Sequence, residues 1–322
     1  MRVVFRAPIL APQFEALATA RGVDFVAAED AAALHREAAD ADALWLWTAF
    51  YDAALVPVLE QHAGRLRWLQ LFTMGYDPVE KYGAPHGVTV ANAGDAYAPT
   101  VAEHAVTLLL ALVRRLPDAA RNALEHRWEP AITGRIGTLN DATVTVLGFG
   151  NIGRDVAVRL RALGARVIAV SRSGAPHALA DEAFAVGALH DALKRSDALV
   201  VAAPLTAQTQ HIVDAAALAA LPKHALVVNI ARGGLIDHAA LAAALAAGNL
   251  GGAGLDVTEP EPLPPDDPLW SHPDVIITPH VAGYGGTVAA RRIMALVDRN
   301  LAAYTAGRPL EAVVFGANNP NG

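Results

Sequence analysis

The stretch that most constrains this chain is Thr143-Val144-Thr145-Val146-Leu147-Gly148-Phe149-Gly150-Asn151-Ile152-Gly153. Alternating β-branched residues run into glycines spaced G-x-G-x-x-G, and an amphipathic segment from Arg154 to Leu163 follows and stops at Gly164. The pattern predicts strand, tight turn and helix. Gly148 permits the turn, Gly150 lets the backbone approach a pyrophosphate, and Gly153 lets helix and strand pack closely. The first amides of the helix would face that phosphate, where their partial positive charge is favourable. Glycines also mark ordinary turns, so spacing alone is a weak sign. Its context is a strand before, a helix after and a second strand from Arg166 to Val170, and this makes the stretch a dinucleotide-binding unit.

The second strand ends where cofactor choice is made. It runs into Ser171-Arg172-Ser173-Gly174 with no carboxylate at its tip. An acid there would accept from a ribose 2′-hydroxyl and repel a 2′-phosphate, whereas two hydroxyls and a guanidinium bind one. NADP(H) is therefore the expected cofactor, with NAD(H) as the alternative. The plainer reading is a solvated turn whose arginine touches nothing.

The chain has 322 residues, enough for two domains of ordinary size. Hydrophobic residues make up 53% and charged residues 18%, which argues for a well-buried globular protein and against disorder. A net charge of -7 leaves no electrostatic footprint for nucleic acid. Cysteine is absent, which excludes disulfides, thiolate nucleophiles and sulfur-ligated metals, and no metal is expected. Met1 to Leu10 has arginines at 2 and 6 without a sustained apolar run after them, so it is a poor signal peptide. Ala105 to Val113 is the most apolar helical candidate, and charges at Glu103 and Arg114 leave it short of the roughly 20 residues of a membrane span. A soluble cytoplasmic protein is expected, with no membrane partner.

In the first part of the chain, Val3 to Phe5, Val23 to Val26, Ala43 to Leu46 and Trp68 to Phe72 read as strands. Pro12 to Ala20, Ala31 to Ala39 and Ala53 to His62 read as the helices between them, so a parallel sheet covered on both faces is expected. Loops at the carboxyl ends of such strands are natural ligand sites, here Trp47 to Tyr51 and Thr73 to Asp77. Thr100 with Glu103 reads as a capping box opening a helix from Val101 to about Leu116, ended by Pro117. Its apolar face, Val106, Leu109, Leu110 and Val113, reads as core or a dimer contact. A second α/β series follows, with strands at Ala198 to Ala202, Ala225 to Ile230, Gly252 to Asp256 and Val275 to Thr278. The helix from His238 to Ala247 is capped by Asp237 and closed by Gly248. The last helix, Thr287 to Tyr304, should cross back onto the first domain, and the polar tail, Asn318 to Gly322, should fray.

Three strand-end segments of the second series carry groups fit for chemistry. Asn229-Ile230-Ala231-Arg232-Gly233-Gly234 supplies a guanidinium, Asp256 to Pro264 supplies carboxylates in a proline-stiffened loop, and Thr278-Pro279-His280-Val281-Ala282-Gly283 supplies an imidazole. A cation, an acid and an imidazole suit reduction of a carbonyl beside a carboxylate. Hydride arriving at carbon leaves charge on oxygen, so a positioned acid must supply a proton, and His280 titrates in the right range. Glu261, hydrogen-bonded to the other ring nitrogen, would favour the imidazolium, and Arg232 would hold the substrate carboxylate in a fork. Taken singly, each has a bland reading as surface ion pair, solvated loop or capped turn. Together after a dinucleotide loop they argue for a site.

These motifs carry a resemblance. Gly148 to Gly153, Pro204-Leu205-Thr206, Asn229 to Gly233, Gly254-Leu255-Asp256-Val257 and Pro279-His280 match, in order, the pattern of the D-isomer-specific 2-hydroxyacid dehydrogenases, over nearly the whole chain. The resemblance implies an α/β protein of two doubly wound parallel-sheet domains. A flavodoxin-like substrate domain would span 1–96 and 287–322, a Rossmann NAD(P)-binding domain would span 97–286, a cleft would lie between them, and the chain would form a homodimer. It implies Arg232, Glu261 and His280 as the catalytic three, with Glu261 chosen over Glu259 because the family's acid directly precedes Pro-Leu. Cofactor contacts are implied at Gly148, Phe149, Gly150, Asn151, Ile152, Gly153, Ser171, Arg172, Ser173, Pro204, Thr209, Ile230, Ala231, Arg232, His280 and Gly283, and at Asp256 toward the nicotinamide amide. Trp47, Met74, Gly75, Arg232 and His280 would contact substrate, with the amides around Met74-Gly75 taking its carboxylate.

Ser171-Arg172-Ser173 resembles the NADP(H)-preferring glyoxylate and hydroxypyruvate reductases of that family. The aromatic loop Trp47 to Tyr51 would keep the pocket small, its plainer reading being core packing. The expected activity is reduction of a short 2-oxoacid to the D-2-hydroxyacid. Within the fold the alternative is NAD-dependent oxidation of formate or phosphite, against which the missing acid at 171 argues. Outside enzymes, the alternative is a nucleotide-sensing binding protein like the C-terminal-binding corepressors.

Overall fold

Short β-branched and aromatic runs alternate with alanine-rich helical ones, and the computed structural model, which describes residues 1–61 and 65–316, turns that alternation into two sheets. In chain order the first elements are β1 (Arg2–Arg6), α1 (Ala11–Ala20), β2 (Asp24–Ala27), α2 (Ala31–Ala38), β3 (Ala43–Leu46), α3 (Leu55–Gln61), β4 (Trp68–Leu71), α4 (Asp77–Tyr82) and β5 (Thr89–Ala91). Then come α5 (Ala98–Val113), α6 (Leu116–Leu124), β6 (Thr143–Leu147), α7 (Asn151–Ala162), β7 (Arg166–Ser171), β8 (Glu182–Ala185), α8 (Leu189–Leu193), β9 (Ala198–Val201), α9 (Ala215–Ala220), β10 (Leu226–Asn229), α10 (His238–Ala246), β11 (Gly252–Leu255) and β12 (Val275–Ile277). The chain closes with α11 (Gly286–Thr305) and β13 (Val313–Phe315). Two compact units result, a terminal one of Met1–Tyr97 with Gly285–Gly322 and a central one of Ala98–Tyr284.

The terminal sheet has the order β13-β5-β4-β3-β1-β2, parallel except for β13, which runs antiparallel to β5 at the edge. Alternate residues of each strand face opposite sides, so two cores form. One is aliphatic, with Leu44, Leu46, Leu69 and Leu71 packed under α2 and α3. The other is aromatic, with Phe5, Phe14, Trp45, Trp68 and Phe72 covered by Ile293, Leu296, Val297 and Leu301 of α11. The last helix therefore does return to the first sheet.

The central sheet has the order β12-β11-β10-β9-β6-β7-β8 and is parallel throughout. The strand order reverses beside β6, so the loop after β6 stands at the switch point, where open α/β sheets bind ligands. The glycine turn and the loops after β7, β9, β10, β11 and β12 all leave the carboxyl ends of these strands.

Several local readings are corrected. The helix α5 starts at Ala98, so Thr100 lies inside its first turn and no capping box opens it; Pro99 suits that first turn because its missing N–H is not needed there. Pro117 likewise begins α6 instead of ending α5, the break falling at Arg115, whose φ is 55°. The buried residues of α5 include Val106 and Leu109 of the expected face together with Val101, Ala105, Leu108 and Leu112, while Leu110 and Val113 are half-buried. Three strands, β5, β8 and β13, were not anticipated: each has four residues or fewer and β8 and β13 lie at sheet edges. The cap of α10 is as expected, with Asp237 accepting from the Ala240 amide at 3.0 Å. His62, at the end of the third anticipated helix, and the tail Asn318 to Gly322 lie outside the described residues.

Candidate active site

After β6 the backbone turns at Gly148, with φ 93°, and a side chain there would overlap the backbone of Ala203. A Cβ on Gly153 would overlap the Gly148 carbonyl, which is the close packing of helix on strand that this position requires. Gly150 differs from both: nothing lies within 4 Å of where its Cβ would be. It stands at the start of α7, which has no side-chain cap. An uncapped helix N-terminus beside an open glycine fits a pyrophosphate, because the first amides need an acceptor and the backbone leaves room for one. Phe149 is buried with its ring 5.3 Å from that of His177, Ile152 is half-buried, and Asn151 is exposed.

At the end of β7, the Ser171 hydroxyl oxygen accepts from the Gly174 amide at 3.1 Å and that of Ser173 accepts from the Ala175 amide at 3.2 Å. The serines thus shape the turn while their O–H protons stay available to donate. Arg172 is exposed and has no hydrogen-bond or ionic partner among the described residues. After β9, Thr209 closes the loop by donating to the Pro204 carbonyl at 2.7 Å and accepting from the Thr206 amide at 2.7 Å.

After β10, buried Asn229 organises the turn: its side chain accepts from the Ala231 amide at 3.1 Å and donates to the Arg232 carbonyl at 2.9 Å. Ile230 and Ala231 are buried, and half-buried Arg232 donates from Nη1 to the Ala231 carbonyl at 2.7 Å. After β12, His280 adopts φ 53°, a left-handed conformation uncommon for a residue with a side chain. The turn is held by Asp256, whose carbonyl accepts the His280 amide at 2.8 Å and whose carboxylate accepts the amides of Val281 at 2.9 Å and Ala282 at 3.0 Å. The next residue, Gly283, is half-buried.

That carboxylate is itself buried. Burial alone would raise its pKa, but hydrogen bonds from His104, the Thr278 hydroxyl and the Ala282 and Val281 amides outweigh it and hold the group at about 2. Asp256 is therefore an anion wired into its own unit.

The two glutamates of the proline loop separate cleanly. Glu261 Oε1 lies 2.6 Å from His280 Nδ1, whereas Glu259 Oε2 lies 2.7 Å from Nε2 of a different histidine, His211. The His280 and Glu261 side chains are 45% and 43% exposed, so Nε2 of His280 is left facing outward from the pair.

In the terminal unit, Trp47 is half-buried at the end of β3, but the rest of its loop is structural. Tyr51 is buried with its hydroxyl on the Gly83 carbonyl at 2.5 Å, and Phe50 lies 4.3 Å under the Arg6 guanidinium. The Met74 carbonyl accepts from Asn92 at 2.7 Å and the Gly75 carbonyl from Thr73 at 2.8 Å, while Thr73 also pairs with buried Thr48. With both carbonyls occupied, the groups this loop still offers are its amides. Of the holding residues, Asn229 and Thr73 fall in segments marked from sequence, without a role of their own, whereas Asn92, His211 and His104 do not. Asn92 follows a strand too short to notice, and nothing in the local pattern marks His211 or His104.

The sequence pattern of "D-isomer specific 2-hydroxyacid dehydrogenase, NAD binding domain" matches residues 106–282, the segment that contains every strand of the central sheet. The chain belongs to the D-isomer specific 2-hydroxyacid dehydrogenase family. It is thus an NAD(P)-dependent oxidoreductase. Among curated relatives of this dehydrogenase is the glyoxylate reductase of Thermococcus kodakarensis, 37% identical over 258 residues that cover 76% of this chain and 75% of that one. Among solved structures, a D-isomer specific 2-hydroxyacid dehydrogenase family protein from Aeromonas salmonicida aligns with a TM-score of 0.84 at 28% identity, covering 98% of each chain. The NADPH-dependent glyoxylate/hydroxypyruvate reductase of Sinorhizobium meliloti, solved with NADP and sulfate, aligns with a TM-score of 0.82 at 29% identity over 97% of this dehydrogenase and 98% of that chain. Among the described residues, no helix is long and apolar enough to cross a membrane.

Proposed function

We propose that this dehydrogenase reduces short 2-oxoacids of the glyoxylate and hydroxypyruvate type to D-2-hydroxyacids with NADPH, as a cytoplasmic homodimer. The observation that carries the reading is the 2.6 Å pair between His280 Nδ1 and Glu261, on loops at the same edge of the sheet as Arg232 and the glycine turn. A bound reduced nicotinamide supplies hydride to the carbonyl carbon. The chain's residues do the rest. Glu261 accepts from Nδ1–H and fixes the ring, which leaves Nε2 of His280 as the position from which a proton would reach the carbonyl oxygen. Within the same unit, the Arg232 guanidinium suits a fork onto the substrate carboxylate.

The choice of NADPH rests on the absence of an acid over 171–173, on unpartnered Arg172 and on the likeness to the NADPH-dependent reductase of S. meliloti. Dimerisation rests on the family likeness and on α6, none of whose residues is buried, with Leu116, Leu124 and Trp128 exposed nearby.

The test is the loss of reduced-nicotinamide absorbance with purified protein, comparing NADPH and NADH against glyoxylate, hydroxypyruvate, pyruvate and phenylpyruvate. Faster turnover of NADPH with the short acids is expected. Preference for NADH would sink the cofactor assignment, and NADPH binding without turnover of any acid would sink the reductase reading. Replacing His280 by alanine should lower kcat by roughly 10²–10⁴-fold, the range of a lost general acid, with NADPH affinity nearly unchanged. Arg172→Ala should weaken NADPH about tenfold more than NADH, the worth of one charged hydrogen bond; equal weakening of both would remove the 2′-phosphate argument.

A further inference from the structure

A hydrogen-bond chain runs from the first turns of α5 to the turn that presents His280, all of it inside the central unit. Thr278 Oγ1 lies 2.6 Å from Asp256 Oδ1, and His104 Nε2 lies 2.9 Å from the same hydroxyl. Asp256 is ionised, so the Thr278 hydroxyl must donate its single proton to it. The Thr278 oxygen then has only lone pairs to offer. His104 must therefore present Nε2–H, and that nitrogen also lies 3.4 Å from Asp256 Oδ1. Asp256 in turn accepts the backbone amides of His280, Val281 and Ala282, which fixes a left-handed residue in place.

We propose that His104 is a positioning residue for His280, acting through Thr278 and Asp256 to hold the turn at 280–282. Helix α5 does not need the histidine for docking: Val101, Ala105, Leu108, Leu109 and Leu112 already bury its inner face, and Leu108 and Leu112 line the space above Gly254 of β11. What the imidazole adds is one donor aimed at the Thr278–Asp256 pair. That pair is the anchor of a strained turn, so its loss is felt at His280 before it is felt by the helix.

The assignment rests on His280 being the working acid, and the experiment separates the two ideas by needing no substrate in its first arm. In His104→Leu, amide hydrogen exchange at Val281 and Ala282 should quicken by roughly tenfold or more, with exchange elsewhere in α5 unchanged. Steady-state rates should then show a fall in kcat of about tenfold with the KM for NADPH within about twofold, consistent with lost orientation and retained binding. His104→Gln, which keeps an N–H at the same reach, should restore both. Thr278→Val gives an independent route should the leucine variant fold poorly, and the double variant should be no worse than either single one. Unchanged exchange at 281 and 282 in both single variants, or additive losses in the double, would overturn the proposal. Faster exchange in a protein that reduces no 2-oxoacid would keep the structural chain and remove the catalytic reading of His280 alone.

Discussion

In the terminal unit one face of the sheet is closed by rings: Phe14 stacks on Phe72 at 4.7 Å between centroids, Trp45 meets Trp68 edge-on at 5.6 Å, and Phe5 touches Phe14, Phe25 and Phe72. In the central unit the core around β9 and β10 is Leu, Val, Ile and Ala, and the specific interactions are moved outward to polar residues at the strand ends, Asn229 and Asp256 above all. Both sheets solve the same burial problem. Rings concentrate contact area in few residues, whereas small aliphatic side chains let strands and helices approach closely enough for a backbone turn to meet a nucleotide. Stability in the first unit therefore rests on a few large side chains, and in the second on many small ones plus a set of pinned loops.

Phe14→Ala should test that contrast most harshly, costing about 3–5 kcal/mol of terminal-unit stability by removing a buried ring. The readout is native: Trp45 and Trp68 are buried in this unit while Trp128 and Trp270 of the other are exposed, so denaturation followed by tryptophan emission reports the terminal unit. Nucleotide affinity should change little; a parallel loss would show that the units do not stand on separate cores. A smaller effect is expected from acid. The Asp256 pKa lies at about 2 when folded, below the ordinary value near 4, so its stabilisation is complete above pH ~4 and is lost as pH falls toward ~2. That loss is about 2 kcal/mol, visible as a steeper acid limb that Asp256→Asn abolishes, and an unaltered limb in the variant would show that other carboxylates govern it. The smallest effect should come from His211→Ala. Its pair with Glu259 is largely exposed, so stability should fall by less than about 1 kcal/mol, and a drop as large as that of Phe14 would mean the pair anchors the whole proline loop.

Much of the central unit could be read from residues, because Gly148, Gly150 and Gly153 each answer a distinct steric demand and because its strands are continuous apolar runs. The short strands and the proline-marked helix boundaries are less legible. Edge strand β13 has three residues and pairs with β5, itself only three residues long, so neither produces a period. Helix boundaries at Pro99 and Pro117 were misread because proline at a helix start and proline after a helix end look alike in sequence, and the backbone state of Arg115 decides between them. At the site, the pairing of His280 with Glu261 was foreseeable, but the pairing of His211 with Glu259 was not: nothing in the spacing of residues 211 and 259 announces a contact. Residues that hold other residues, such as His104 and Asn92, are legible only once topology has brought distant segments together.

The return of α11 to the aromatic face has a consequence for synthesis. The central unit is one uninterrupted stretch and has all its strands as soon as Ile277 has been made, but the ring-lined side of the terminal sheet is covered only in part, by α1, until Ile293, Leu296, Val297 and Leu301 emerge. For most of the time the chain spends growing on the ribosome, part of this apolar face lacks its final cover. The nascent chain is therefore open to capture by chaperones, or by neighbouring nascent chains, through the sheet that is made first and completed last.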